Sequence, residues 1–412
     1  MPKSAKLGLL AVSVVVVLGL FVGANFHGVS AASDAPQEGA YRQINVYSEV
    51  LQHIQNDYVE EPNMGKVTHG ALRGLLESLD PDSSYLSPAD YKTWKDAKAG
   101  KAQVGIVPSK RFGYATVVSV VPGSPADKAN ITDGDIIEAI DGKDTRDIPL
   151  AMIQLMMAGA PGSELKLAVL RPRSAKPDAL KLNRVVVVEP APTDTWYENN
   201  SILYLKPETL DKDHVSYIES KLKGASKQPG KKVLLDLRDV ASGEMSEGVR
   251  LANFFLASGT IATLEGQKFE KQTFSAEGSK TINAKSPVVV LVNHGTAGAA
   301  EIVAAALADN KRADVVGSRT FGQGTQAKTF EMPDGGALIL SIAKYVSPDG
   351  KKFEDDGVTP ATLVENTTPD DDDAADDSAP KPATPVNSTK KKPKMVDDQL
   401  TKALEMLKAK TA

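Results

Sequence analysis

The sequence predicts a multidomain α/β (α+β) chain, and three patterns lead there. Residues 288–292 are an unbroken apolar run of strand length and 233–237 a run interrupted only by Asp236, as expected of strands buried on both faces, and they alternate with helical stretches at 248–256 and 299–308. Residues 100–190 instead divide into short β-rich runs at 105–107, 114–121, 136–140, 165–170 and 183–188, separated by Gly, Pro and Asp turns, with one helix near 148–157. Nearer the start, Ile44, Tyr47, Leu51, Ile54 and Tyr58 recur at steps of three and four, which draws one face of a helix.

Composition excludes several function classes. The 412 residues suffice for two or three domains at about 150 residues each. A hydrophobic share of 41% with 25% charged residues is that of an ordinary globular chain. With a net charge of −5 there is no basic field to gather phosphates, so nucleic acid is not an expected partner. Cysteine is absent, which removes disulfide scaffolds, thiol catalysis and Cys-ligated zinc. The five histidines, His27, His53, His69, His214 and His294, share no ligand spacing, so neither a metal nor any other cofactor is expected.

Taken in order, the chain opens with Lys3 and Lys6 ahead of an apolar run at 7–24 and small residues at 29–32. Residues 1–32 therefore read as an export signal or an uncleaved membrane anchor, which places the remainder in the periplasm, free or held at the inner membrane. A helical region at 40–97 follows, with helices at 44–58 and 67–79 and a turn at 78–88 whose two prolines stop helix propagation and whose end caps a helix near 89–95. The β-rich domain occupies 98–190 and the α/β domain 195–365. Residues 366–394, with their Asp, Pro and Lys blocks, read as a disordered linker, and 395–412 as a helix with Leu400, Leu404 and Leu407 on one face that docks on the body or on a partner. The acidic pairs Asp80/Asp82 and Asp355/Asp356 lie in turns and are expected to be solvated.

Four segments, in order, resemble the carboxyl-terminal processing peptidases, or tail-specific proteases. They are the turn 78–86, the Gly123-Ser124-Pro125-Ala126 to Asp141-Gly142 stretch, Leu235-Asp236-Leu237-Arg238, and residues 293–303 followed by Thr320-Phe321-Gly322-Gln323-Gly324. The resemblance implies a mixed-sheet protease core with N-terminal helices and an inserted PDZ domain. It also implies a Ser/Lys dyad, in which a serine attacks a peptide carbonyl, a lysine of lowered pKa takes its proton and backbone N–H groups hold the oxyanion.

This chain departs from that pattern at the dyad. Where the family reads Gly-Ser-Ala-Ser-Ala-Ser-Glu, residues 295–301 read Gly-Thr-Ala-Gly-Ala-Ala-Glu, so Gly298 takes the nucleophile's place. In the family's Phe-Gly-Lys-Gly, Gln323 takes the place of the base, and Ala327 that of a glutamine four residues on. The oxyanion-equivalent residues are Ser242, Gly243 and Ala299, with Ser242 where the family has a glycine. A displaced nucleophile is conceivable in Thr296 with Lys328 or Lys344 as base, against the plainer reading of Thr296 as a helix cap; His294 reads as a partly exposed loop residue.

The PDZ carboxylate loop maps to Gln103-Val104-Gly105-Ile106, so Val104, Gly105 and Ile106 are the peptide-binding candidates, although the first glycine of the family's loop is lost. The resemblance thus implies a pseudopeptidase that binds protein C-termini or unfolded segments. Two alternatives stand beside it: an endopeptidase with displaced catalytic groups, and a structural subunit that assembles with itself or with an active paralogue.

Overall fold

The computed structural model describes residues 35–97, 102–172, 174–354, 356–366 and 396–410. The proposed leader at 1–32 and nearly all of the proposed linker at 366–394 lie outside the described residues. None of the described helices is long and apolar enough to cross a membrane. The chain divides into two compact units, residues 1–70 and 71–412.

The first unit holds helix α1 (Ala35–Asp57) and the start of α2 (Met64–Glu77). The three-and-four spacing at 44–58 does form a helix, but the face it draws is not a buried one: Ile44, Tyr47 and Tyr58 are all exposed.

In the second unit, residues 102–185 fold around one antiparallel sheet, β2 (Ile106–Arg111), β3 (Tyr114–Val120), β4 (Ile136–Ile140), β6 (Glu164–Leu170) and β7 (Asp178–Asn183), paired in that order, with the short β5 (Lys143–Asp144) on β4. Alternation decides the faces: Leu165, Leu167 and Val169 of β6 point into the core while Glu164 and Lys166 stay outside. β2 is an edge strand, and the helix α5 (Leu150–Met157) packs beside it.

The structure departs from the sequence expectation at two places in this domain. The last strand is Asp178–Asn183 rather than 183–188, because Leu180 and Leu182 pair with β6, whereas Val186 and Val188 run out towards Pro190 and are 59% and 78% exposed. A second helix, α4 (Pro125–Lys128), is also present, with proline at its first position and the Ser124 side chain accepting the Asp127 N–H.

The α/β part is built on a six-stranded sheet in the order β17 (Thr362–Leu363), β14 (Asp314–Gly317), β13 (Val288–Val292), β10 (Lys232–Asp236), β9 (Ile202–Lys206), β8 (Thr193–Tyr197). All pairs are parallel except β8 with β9, so the sheet is mixed. The apolar residues of these strands sort by parity. Val233, Leu235, Val288, Val290 and Val292 face one layer of helices, α6 (Lys212–Ser226), α7 (Met245–Asn253) and α8 (Ala299–Asp309). Leu234, Val289 and Leu291 face the other side, which is closed by Ala403 and Leu407 of the C-terminal helix α9 (Asp398–Ala409). The helix at the end of the chain thus docks back on the body.

A second antiparallel sheet pairs β1 (Ser84–Leu86), β16 (Ala337–Val346), β11 (Thr260–Glu265) and β12 (Gln272–Ser275), with β15 (Thr325–Glu331) on the other side of β16. The turn at 78–88 therefore contains a strand. Ser87 caps the following helix α3 (Pro88–Asp96), as expected. Asp80 is not solvated but 8% exposed: its carboxylate accepts from the N–H groups of Asp82 and Ser83 and from the hydroxyls of Ser83 and Ser341, which ties the turn to β16.

Candidate functional site

In an open parallel sheet the chain leaves every strand on the same edge, and loops meet beyond the strands' carboxyl ends. Here the loops after β10 and β13 meet in that way. Asn293 clasps the first of them, its Oδ1 accepting from the Asp239 N–H at 2.9 Å and its Nδ2 donating to Asp239 Oδ1 at 2.8 Å. The Ala297 N–H donates to Val240 O at 3.0 Å. Thr296 is fully buried; its hydroxyl donates to Leu237 O at 2.8 Å and accepts the Asn293 N–H at 3.0 Å. Thr296 is therefore a tie between loops and not the helix cap.

The residue that caps α8 is Gly298, at φ +60° and ψ −118°. That backbone conformation strains any L-residue. Space, by contrast, is open: a Cβ at 298 would lie 3.6 Å from Met245 Cε and 4.0 Å from Gln323 Oε1. The fold thus brings positions 298 and 323 together, as the resemblance implies, with no hydroxyl at the first and an amide at the second.

Both positions are held by Glu301 from inside α8. Its carboxylate is fully buried and accepts the N–H of Gly298 at 3.0 Å and those of Gly322 and Gln323 at 2.8 Å each. The Thr320 hydroxyl also donates to it. Burial pushes the Glu301 carboxyl up to about 7, with the four donors acting in the opposite sense. The helix itself follows from alanine: Ala299, Ala300, Ala304, Ala305 and Ala306 are all buried, and their small size admits α7 so closely that a Cβ on Gly248 would sit 2.5 Å from Ala299 O.

Of the oxyanion-equivalent residues, Gly243 has φ +130°, and a Cβ there would stand 2.5 Å from Leu210 O. Ser242 needs no positive φ; its carbonyl accepts the Leu210 N–H at 3.0 Å and its hydroxyl donates to Thr209 Oγ1 at 3.0 Å. Ala299 opens α8 directly beside Gly298. Ala327 lies on the exposed strand β15. At the root of the first loop, Arg238 bonds Asp236 and reaches across to Asp397 at 2.7 Å, and these carboxylates raise its pKa against the opposing effect of burial.

The displaced pair does not assemble. Lys328 is exposed on β15 with its ammonium 5.2 Å from the Phe330 ring centroid, and Lys344 lines a surface groove beside it, while the Thr296 hydroxyl is committed to backbone groups. His294 is exposed, as its loop position suggested.

In the β-rich domain Val104 and Ile106 are buried, and Gly105 has φ +82°, with Ser124 Cβ only 2.2 Å from where its own Cβ would stand. The Val104 and Gly105 carbonyls accept from the N–H groups of Ala126 and Val121, so one side of the loop is fixed to the domain. The three candidates lead directly into the edge strand β2, the place where an extended peptide could add.

Sequence reasoning missed Arg111, the last residue of β2. Its guanidinium donates to Phe321 O and lies 4.3 Å from the Phe321 ring centroid, joining the β-rich domain to the loop that carries Gln323. Partners 210 positions apart leave no local signal. The hold of Glu301 on that loop was legible only in part, as a glutamate three residues into a helix.

The model of peptidase family S41 matches residues 201–364, and that of a PDZ domain matches 116–171. A carboxy-terminal-processing protease of Bartonella bacilliformis is 30% identical over 361 residues, spanning 86% of this chain and 82% of that one. The carboxy-terminal processing protease CtpA of Bacillus subtilis is 28% identical, spanning 84% and 74%. Among solved structures, the photosystem II D1 C-terminal processing protease superposes with a TM-score of 0.64 at 25% identity, covering 78% of this chain and 92% of that one.

Proposed function

The chain belongs to the carboxyl-terminal-processing family of S41 peptidases with a PDZ domain, and from that premise we propose that it is a non-hydrolytic member, exported to the periplasm, that binds polypeptide C-termini or unfolded segments. One observation carries the reading: Gly298 and Gln323 face each other across about one side chain's width, and neither offers an oxygen nucleophile or a basic amine. A glutamine amide does not accept a proton near neutral pH, so the dyad step has neither of its participants.

What remains is suited to holding a chain. The edge of β2 offers main-chain hydrogen bonds to an extended peptide, and the loop Val104–Gly105–Ile106 stands where a terminal carboxylate would be held. The apolar run at 7–24 supports export.

Incubation of the purified chain with an unfolded, apolar-tailed substrate should give no cleavage. A peptide with a free C-terminus should bind more tightly than its amidated form. Turnover by the natural chain that survives repurification, or equal binding of the two peptides, would each overturn the corresponding half of the proposal. The paired substitution Gly298→Ser with Gln323→Lys asks how much of the machinery persists; recovered hydrolysis is expected, at a stability cost of about 1–2 kcal/mol for the positive φ at 298.

A further inference from the structure

A groove of about 830 Å³ runs over the second sheet, bounded by the 265–271 turn and by one face of β15 and β16. Five lysines line it, Lys268, Lys271, Lys328, Lys344 and Lys352, against a single acid, Glu265. Of the five, only Lys271 has a carboxylate partner among the described residues, Glu265 at 3.2 Å. The concentration of positive charge stands out on a chain whose net charge is −5. Between the lysines the floor is apolar, formed by Phe269, Phe330, Leu340 and Ile342. Among the described residues nothing covers this face: residues 326–331 of β15 are all exposed, and β15 pairs with β16 alone.

We propose that this groove is a second docking surface, separate from the PDZ loop and from the Gly298 cleft, and that its occupant is an extended acidic polypeptide segment in which carboxylates alternate with apolar side chains. In an extended chain successive side chains point to opposite sides, about 3.4 Å apart along the strand. A segment laid along β15 therefore sets every second residue on Phe330 and its neighbours and turns the rest towards the lysines at the rim. Lysines on an open strand also discourage edge-to-edge pairing, but that role needs one or two of them on β15 itself; here Lys268, Lys344 and Lys352 come from other segments and converge on the same floor. Opposite charge across the contact gives the groove its selectivity for acidic partners.

The test is fluorescence anisotropy with a labelled twelve-residue peptide of alternating Glu and Phe or Val, amidated at its C-terminus so that carboxylate capture by the PDZ domain cannot contribute. Binding is expected to weaken about tenfold or more in the pair Lys328→Glu with Lys344→Glu, to be retained in Lys328→Arg with Lys344→Arg, and to fall with rising salt. A peptide with Gln for Glu should bind at least tenfold more weakly. Both lysines line the surface groove, and an unchanged thermal melt verifies the fold. Equal binding by the reversed pair, no binding by the natural chain, binding of anionic vesicles in place of the peptide, or a self-association that the reversed pair disperses would each overturn the proposal.

Discussion

Two glycines invite comparison, Gly105 at the PDZ loop and Gly298 at the start of α8. Both adopt a positive φ, +82° and +60°. At Gly105 the added Cβ would stand 2.2 Å from Ser124, so packing demands the glycine; at Gly298 the nearest atom would be 3.6 Å away, so packing does not. The loop proposed to bind peptides is thus built around a missing side chain, whereas the cleft at Gly298 keeps room for one.

The frame itself is the place to break this contrast most severely. Replacing Glu301 by Leu strands three backbone N–H groups and the Thr320 hydroxyl, and should cost about 3–5 kcal/mol by urea unfolding. Next comes Gly105→Ala, which adds overpacking to the strained φ and should cost about 2–5 kcal/mol, with loss of binding to free C-termini. Gly298→Ala has the φ term alone, about 1–2 kcal/mol. Equal losses for the two alanines would erase the distinction.

A separate effect is expected in pH dependence. The Glu301 carboxyl is raised in the folded chain, so between about 4.5 and about 7 the folded state binds the proton that the unfolded state has released. Its contribution is fully present below 4.5 and is lost as pH rises through about 7. Across that interval the natural chain should lose stability relative to Glu301→Gln, measured as parallel urea midpoints; a constant difference would show that burial does not hold the proton there.

The comparison also marks what could be read from residues alone. The strands at 233–237 and 288–292 were legible because apolar runs broken by one residue at most have few other uses, and Ser87 because capping is local. The valines at 185–188 misled for the same reason: β-branched residues suggest a strand, but a strand requires a partner, and past Val185 there is none in the sheet. Asp80 was misjudged because two of its four donors are on Ser83 but another is on Ser341, far along the chain. At the site, the identities at 298 and 323 were plain, while the carboxylate that brings them together and the Arg111 that reaches Phe321 from the other domain depend on tertiary approach.

One feature has a practical reach. The helix Asp398–Ala409 closes the second face of the main sheet, Asp397 meets Arg238 at the root of the first site loop, and the Lys232 ammonium donates to the carbonyls of Leu407 and Lys410 at the helix end. The core is therefore discontinuous in sequence. A recombinant version trimmed at residue 366 would present Leu234, Val289 and Leu291 to water and take Asp397 from Arg238, leaving it paired with Asp236. Any crystallisation or binding work on this protein should carry the chain through residue 410.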